Sequence, residues 1–164
     1  MPILSFHSLE IISRSAEQTR RVGMRLGTLL KPGDVVHLIG ELGSGKTTFV
    51  QGVSAGWGSL DQASSPSFVL VNVYRRPDHQ VLYHLDAYRL ADAREAWELD
   101  VDQMLESGIL VIEWAERIRE ALPQDFLRVR FTFVDENQRD LLVDAAGSRY
   151  ETLLAAFRKG IYGG

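Results

Sequence analysis

Gly40-Glu41-Leu42-Gly43-Ser44-Gly45-Lys46-Thr47 matches the pattern G-x-x-x-x-G-K-[ST] at every fixed position. Residue types at this spacing suit one task, the holding of a chain of phosphates. Glycines at 40, 43 and 45 permit positive φ and let the backbone approach an anion with no Cβ in the way. Successive N–H groups then converge at the N-terminus of the next helix, where unpaired donors and the helix dipole favour negative charge. Lys46 adds a point charge for the β- and γ-phosphates, and the Thr47 hydroxyl is a ligand type for Mg²⁺. The pattern needs a buried strand before it and a helix after it. Asp34-Val35-Val36-His37-Leu38-Ile39 and Thr48-Phe49-Val50-Gln51-Gly52-Val53 have those characters. A glycine-rich turn that merely contains Lys-Thr has no need of both flanks, so the implied ligand is a nucleoside triphosphate.

Three other segments carry groups of chemical interest. Glu113 ends the apolar run Ile109-Leu110-Val111-Ile112, where a carboxylate turned into the core would meet a large desolvation cost. It reads as an acid that holds Mg²⁺ beside Thr47, directly or through water, or else as a surface glutamate paired with a lysine or arginine. His84-Leu85-Asp86-Ala87-Tyr88-Arg89 follows a second apolar run. Asp86 suits the orientation of an attacking water or support of the Mg²⁺ shell, and Arg89 suits neutralisation of phosphate charge; a capping Asp with a structural Tyr-Arg pair is the plainer reading. Ser64-Ser65-Pro66-Ser67-Phe68 is either a loop whose hydroxyl meets a γ-phosphate or Mg²⁺, or an ordinary Ser/Pro entry to a strand. The histidines at 7, 37, 79 and 84 lack metal-ligand spacing, which argues against zinc, and His37 reads as a satisfied buried histidine. Trp57, Trp97 and Trp114 read as packing residues, with Trp114 placed by its neighbour Glu113 to sit over the site.

These groups need a framework. Ile3 to Ile12 reads as an opening strand or hairpin, and Ser13 or Ser15 caps a helix through about Leu30. Lys31-Pro32-Gly33-Asp34 is a turn into the phosphate-loop strand, and Gly56-Trp57-Gly58 breaks the chain after its helix. Phe68 to Tyr74 and Val81 to Leu85 read as strands joined by Arg76-Pro77-Asp78-His79, and Asp92 to Glu106 reads as a helix. Leu127 to Val134 and Asp140 to Asp144 pair as a hairpin around Asp135-Glu136-Asn137-Gln138, and a last helix runs from about Ser148 to Lys159. Strands alternating with helices imply an α/β domain of the P-loop type with a mixed, mostly parallel sheet flanked by helices and closed by an antiparallel hairpin. Ligands of such sheets sit at the carboxyl ends of the strands, here Ile39, Leu85 and Ile112.

Composition sets outer bounds. The 164 residues suit one domain spanning 1–164. A formal net charge of −4 argues against strong autonomous binding of nucleic acid, though a local basic patch is compatible with it. No cysteine is present, so disulfides and thiolate metal sites are excluded; a cytoplasmic address is the simplest expectation. No apolar run approaches the roughly 20 residues of a membrane span, and no secretory signal is evident.

Taken together, these motifs resemble the TsaE (YjeE) family of bacterial P-loop ATPases. The family pattern G-D-L-G-A-G-K-T-T stands here as residues 40–48, ending in Thr47-Thr48; S-P-T-F as Ser65-Pro66-Ser67-Phe68; H-x-D-x-Y-R-L as His84 to Leu90; E-L-G as Glu98-Leu99-Asp100; and V-E-W as Ile112-Glu113-Trp114. The resemblance covers about Ser15 to Arg139. It implies an Mg²⁺-dependent ATPase required for threonylcarbamoyladenosine formation in tRNA, acting with the TsaB and TsaD proteins, with ATP hydrolysis resetting that complex between turnovers and tRNA met only indirectly or weakly. It further implies that the loop from Gly40 through Glu41, Leu42, Gly43, Ser44, Gly45, Lys46 and Thr47 to Thr48 binds phosphate. Thr47 and Glu113 hold the metal, and Asp86, Glu113 and Lys46 serve hydrolysis. Ser67 borders the γ-phosphate, Arg139 lies near the nucleotide, and Ser15 and Thr19 approach the adenine. Two departures stand out: Ser67 replaces the usual threonine, and Asp100 stands where glycine is common. A small-molecule kinase on the same core is the main alternative, and a nucleotide-gated binding module with negligible turnover is a third.

Overall fold

The computed structural model describes residues 7–41, 43–61, 71–89 and 100–163. Leu42, the Ser64–Phe68 segment with Ser67, the first part of the 92–106 helix with Arg94 and Trp97, and the start of the opening strand at Ile3 lie outside them. One seven-stranded sheet runs in the order β1-β7-β6-β2-β5-β4-β3. Its members are β1 (Ser8–Ser13), β2 (Val35–Ile39), β3 (Val71–Arg75), β4 (Val81–Asp86), β5 (Gly108–Glu113), β6 (Phe126–Asp135) and β7 (Gln138–Ala146). The four central strands β6, β2, β5 and β4 are parallel, and antiparallel neighbours close both edges. The sheet is thus mixed, with its parallel part in the middle. The late hairpin is longer than its sequence pattern and turns at Glu136-Asn137, with a register irregularity between Phe133 and Asp135.

Helices α1 (Ala16–Gly27), α2 (Lys46–Trp57) and α4 (Ser148–Tyr162) cover one face; α3 (Val101–Ser107) and 3₁₀ segments at Ala87–Arg89 and Ala115–Ala121 lie on the other. Leu26, Phe49 and Phe157 are fully buried on the first face, and Leu85, Leu110 and Ile112 on the second. Each such side chain contributes roughly 1.5–3 kcal/mol of burial free energy. Two polar contacts tie α4 to the start of β2. Arg149 makes two hydrogen bonds to the buried Asp34 carboxylate, at 3.0 and 2.8 Å, and the Val35 N–H donates to the Tyr150 hydroxyl at 2.9 Å. Two outward carbonyls of edge strand β1 are also taken: Arg158 donates to Ser8 O at 2.6 Å and the Tyr162 hydroxyl to Glu10 O at 2.8 Å. Those side chains block the addition of a further strand.

Several boundaries differ from the sequence pattern for physical reasons. Ser15, not Ser13, caps α1, accepting from the Gln18 N–H at 3.1 Å. α1 ends at Gly27 rather than near Leu30, because the Thr28 hydroxyl turns back onto Arg25 O at 2.7 Å and Leu29 N–H onto Leu26 O. The chain does not break at Gly56; α2 runs through it and stops at Gly58, whose left-handed φ of 103° closes the helix. Asp100 takes the left-handed conformation (φ 54°) that suits glycine, and its carboxylate caps α3 through the Gln103 N–H at 3.2 Å. Aspartate tolerates that backbone better than most residues, which accounts for the departure from glycine.

Gly56 has a different task. A Cβ on Gly23 would strike Phe49 O, one on Gly27 Val53 O, one on Gly52 Arg20 O and one on Gly56 Met24 O. Two glycine pairs spaced by four thus let α1 and α2 touch backbone to backbone. The contacts climb both helices in the same direction, so α1 and α2 are parallel and their N-termini lie side by side. Gly52→Ala should therefore destabilise the fold by about 1–3 kcal/mol, the scale of core overpacking. Chemical denaturation of the variant checks this, and an unchanged midpoint would contradict the packing.

His37, in the centre of β2, is buried but not satisfied. Its ring stacks on Phe126 at 3.9 Å, and Nε2 has no hydrogen-bond partner among the described residues. Burial, with the positive charges of Arg119 and Arg128, lowers its pKa to about 4. Unfolded, the imidazole takes a proton near pH 6.5, so stability is full above that value and falls as pH drops toward 4. The loss amounts to about 3 kcal/mol for the full shift. His37→Phe keeps the stacking and should abolish that component, read as the wild-type-minus-variant difference in unfolding free energy between pH 7 and 4. A difference that does not vary with pH would refute the assignment.

Candidate nucleotide site

The carboxyl ends of three parallel strands and the N-terminus of α2 meet at one cleft of about 610 Å³, lined by Gly43, Gly45, Lys46, Thr47, Thr48, Asp86, Tyr88, Glu113, Trp114 and Arg139. The loop from β2 to α2 has φ of 80° at Gly43 and 106° at Gly45, as the glycine pattern predicts. Gly40 departs from it: its φ is not positive. The missing side chain serves packing instead, since a Cβ there would stand 2.6 Å from Ser44 Oγ and 3.0 Å from Phe131 Cβ. Gly45 offers α2 no capping side chain, and the first backbone bond of the helix is Phe49 N–H to Gly45 O at 3.0 Å. The amides of Lys46, Thr47 and Thr48 precede that bond, and all three residues line the cleft.

Lys46 does not wave in solvent. Its ammonium donates to Gly40 O at 2.6 Å, stands 3.5 Å from Glu113 Oε1, and lies 5.4 Å from the centre of the Trp114 ring. Trp114 is held in the left-handed region (φ 62°) and packs on Tyr88, ring centres 5.1 Å apart, while Arg117 caps the outer face of Tyr88. Trp114 thus sits over the site, as its position beside Glu113 suggested. Trp57 is a buried packing residue.

Glu113 is 7% exposed, so it is no surface glutamate. Its other oxygen, Oε2, is 2.8 Å from His84 Nε2. Burial pushes the Glu113 carboxyl upward, but the hydrogen bond and charge of His84 and the charge of Lys46 together outweigh it. They hold the group below the ordinary glutamate value, ionised at neutral pH. Asp86 lies beside Glu113 in the β4–β5 register and accepts the Tyr88 N–H at 2.9 Å, so it caps the 3₁₀ turn and lines the cleft at once.

A small recess continues from the cleft past Gly45 and Thr48 and is lined by Ser15, Ala16, Thr19, Glu136, Asn137 and Arg139. The structure therefore brings Ser15, Thr19 and Arg139 to the phosphate loop. Two of them have polar groups already engaged: Ser15 Oγ caps α1, and Thr19 Oγ1 lies 2.6 Å from Ser13 Oγ, so Thr19 turns its Cγ2 toward Gly45. Arg139 donates to Asp135 O and Gln138 O, reaches Gly43 O at 3.4 Å, and stacks on Phe133 at 4.5 Å. Glu41 does not line the cleft but a neighbouring hollow with Gly40, Lys46 and Trp114, and Ser44 is buried. His84, Tyr88 and Phe133 were not singled out in the sequence as site residues. For His84 the available signal was its spacing of two from Asp86, which puts both side chains on one face of a strand.

The donor set fits a magnesium–phosphate ligand. Positive-φ glycines leave open space at Gly43, the amides and ammonium are cationic or donating, and hard oxygens of Thr47, Glu113 and Asp86 share the cleft. No three His, Asp or Glu side chains cluster as an all-protein metal cage among the described residues. Mg²⁺ characteristically takes only one or two protein oxygens and fills its shell with phosphate and water.

The family model described as threonylcarbamoyl adenosine biosynthesis protein TsaE matches residues 13–141. The tRNA threonylcarbamoyladenosine biosynthesis protein TsaE of Bacillus subtilis is 36% identical over 138 residues, covering 84% of this chain and 85% of that protein. Its counterpart in Streptomyces coelicolor is 39% identical over 139 residues, covering 81% and 94%. Among solved structures, Bacillus subtilis YdiB superposes with a TM-score of 0.78 at 31% identity, covering 94% of this chain and 96% of that one.

Proposed function

This chain belongs to the TsaE family, and we propose that its cleft binds ATP with Mg²⁺ and hydrolyses it in support of threonylcarbamoyladenosine formation in tRNA. One observation carries the reading: Lys46, Thr47, Asp86 and Glu113, taken from three separate segments, line a single cleft at the N-terminus of α2. The membership supports the pathway, since the relatives matched are named for that biosynthesis. We further propose TsaB and TsaD as the proteins served, with hydrolysis resetting their complex between turnovers.

In this reading each residue has a defined task. The loop amides and Lys46 bind the β- and γ-phosphates; Lys46 exchanges its contact with Gly40 O for phosphate oxygen while Glu113 keeps it oriented. Thr47 and Glu113 would hold the Mg²⁺, which supplies neutralisation of the charge that develops on the phosphoryl oxygens. Asp86 orients the attacking water, its carboxylate fixed by the Tyr88 amide. Trp114 and Tyr88 roof the phosphate end, and the Ser15–Thr19–Arg139 recess receives the nucleoside end. Ser67 is proposed to border the γ-phosphate. Among the described residues Arg139 is the one arginine that lines the cleft, and its guanidinium is committed to backbone carbonyls of the hairpin and loop. The charge clamp on the transferring group is therefore sparse, which favours slow turnover by the chain alone and acceleration by a partner that supplies charge or order in trans.

Lys46→Ala should abolish most ATP binding in titration calorimetry; wild-type affinity in that variant would remove the phosphate assignment. Glu113→Ala and Asp86→Ala should lower hydrolysis far more than nucleotide affinity, by on the order of 100-fold for one such contact. Single-turnover phosphate release beside the binding isotherm separates the two effects. Loss of affinity equal to loss of rate would reassign these acids to ground-state binding. Turnover that requires an added metabolite acceptor would favour a kinase.

A further inference from the structure

His84 is completely buried at the centre of β4, between its edge partner β3 and the parallel strand β5. Its ring lies 6.4 Å from that of Tyr74 on β3, and its only described hydrogen bond is to Glu113 Oε2 at 2.8 Å. A carboxylate can only accept, so Nε2 carries the hydrogen of this bond. Nδ1 is buried without a described partner, so the described hydrogen bonding of the ring goes to Glu113 alone. The imidazole thus delivers one N–H, in one direction, to one oxygen of Glu113.

The consequence lies in the other oxygen. With Oε2 fixed, Oε1 is the atom turned to Lys46 at 3.5 Å and to the cleft. A free glutamate carboxylate rotates about χ3 and offers either oxygen; this one cannot rotate without breaking a buried hydrogen bond. Groups one step behind a metal ligand orient it and typically change metal affinity or activity by roughly 10–100-fold when lost.

We propose that His84 is a positioning residue for Glu113: its Nε2–H locks the carboxylate so that Oε1 faces Lys46 and the cation of a magnesium nucleotide. The inference rests on the cleft being an Mg²⁺-ATP site, and its test keeps the two apart.

The measurement is the ratio of ATP dissociation constants in EDTA and in excess Mg²⁺, by calorimetry, for the full chain and its variants. His84→Gln sets an amide N–H near the position of Nε2 and should keep the Mg²⁺ effect within about threefold of wild type. His84→Asn, whose amide stands nearer Nδ1 and falls short of Glu113, should lose about 10-fold or more of that effect. ATP affinity in EDTA should be the same in both, which a general loosening of the fold would not produce. An Asn variant with the wild-type Mg²⁺ effect overturns the proposal, as does a Gln variant no better than Asn. If Lys46→Ala binds ATP as tightly as wild type, it is the reading of the cleft that fails. Thermal unfolding of each variant accompanies the titration, and His84→Leu serves as a second contact-free variant should His84→Asn not fold.

Discussion

A negative charge buried at the end of a central strand governs the layout of this molecule. Glu113 can stay ionised there only because a donor and a cation meet its two oxygens from different elements, His84 on β4 and Lys46 at the start of α2. Removing Lys46 would leave that charge without its cation, and removing His84 would leave one carboxylate oxygen without its donor, in a poorly solvated place. The same two contacts fix β4 and β5 in register at their carboxyl ends and hold the first turn of α2 against them. The arrangement that stabilises the charge also assembles the cleft.

A second constraint acts from the other side. Four glycines bring α1 and α2 into backbone contact with both N-termini at the cleft, so the partial positive ends of two helices point toward one place. Phe49, fully buried against Phe131, anchors α2 to β6 beneath the loop. Gly40 lets that loop pass Phe131 and Ser44 closely. The phosphate loop is thereby clamped between the helix pair and the hairpin β6–β7, with Arg139 as the outer strap. No described helix is long and apolar enough to cross a membrane.

The parts of this site that were legible in the sequence are those whose chemistry is local. Residues 40–47 are contiguous, so their spacing alone defines the loop, and the apolar runs before and after it define β2 and α2. Asp86 and Glu113 were legible as strand-end acids. His84 was not, because its role depends on β4 lying parallel beside β5, a pairing across nearly thirty residues that no local pattern encodes. Gly56 read as a helix breaker, yet with Gly23, Gly27 and Gly52 it forms the close contact of α1 and α2; propensity yields there to tertiary contact. Gly40 read as a conformational glycine, and packing against Phe131 turned out to be its reason. His37 read as satisfied because burial usually implies a partner. Asp100 looked out of place for a glycine position, yet its left-handed backbone and capping carboxylate fit the same turn.

The cleft is proposed to hydrolyse ATP for a tRNA-modifying assembly, with a charge clamp too sparse to act fast alone. Steady-state phosphate release tests it most directly, measured with the purified chain and Mg²⁺-ATP, then with a TsaB–TsaD complex added. Slow turnover alone and a marked rise with the complex, lost in Lys46→Ala, are expected. Fast turnover alone, unchanged by the complex, would contradict it.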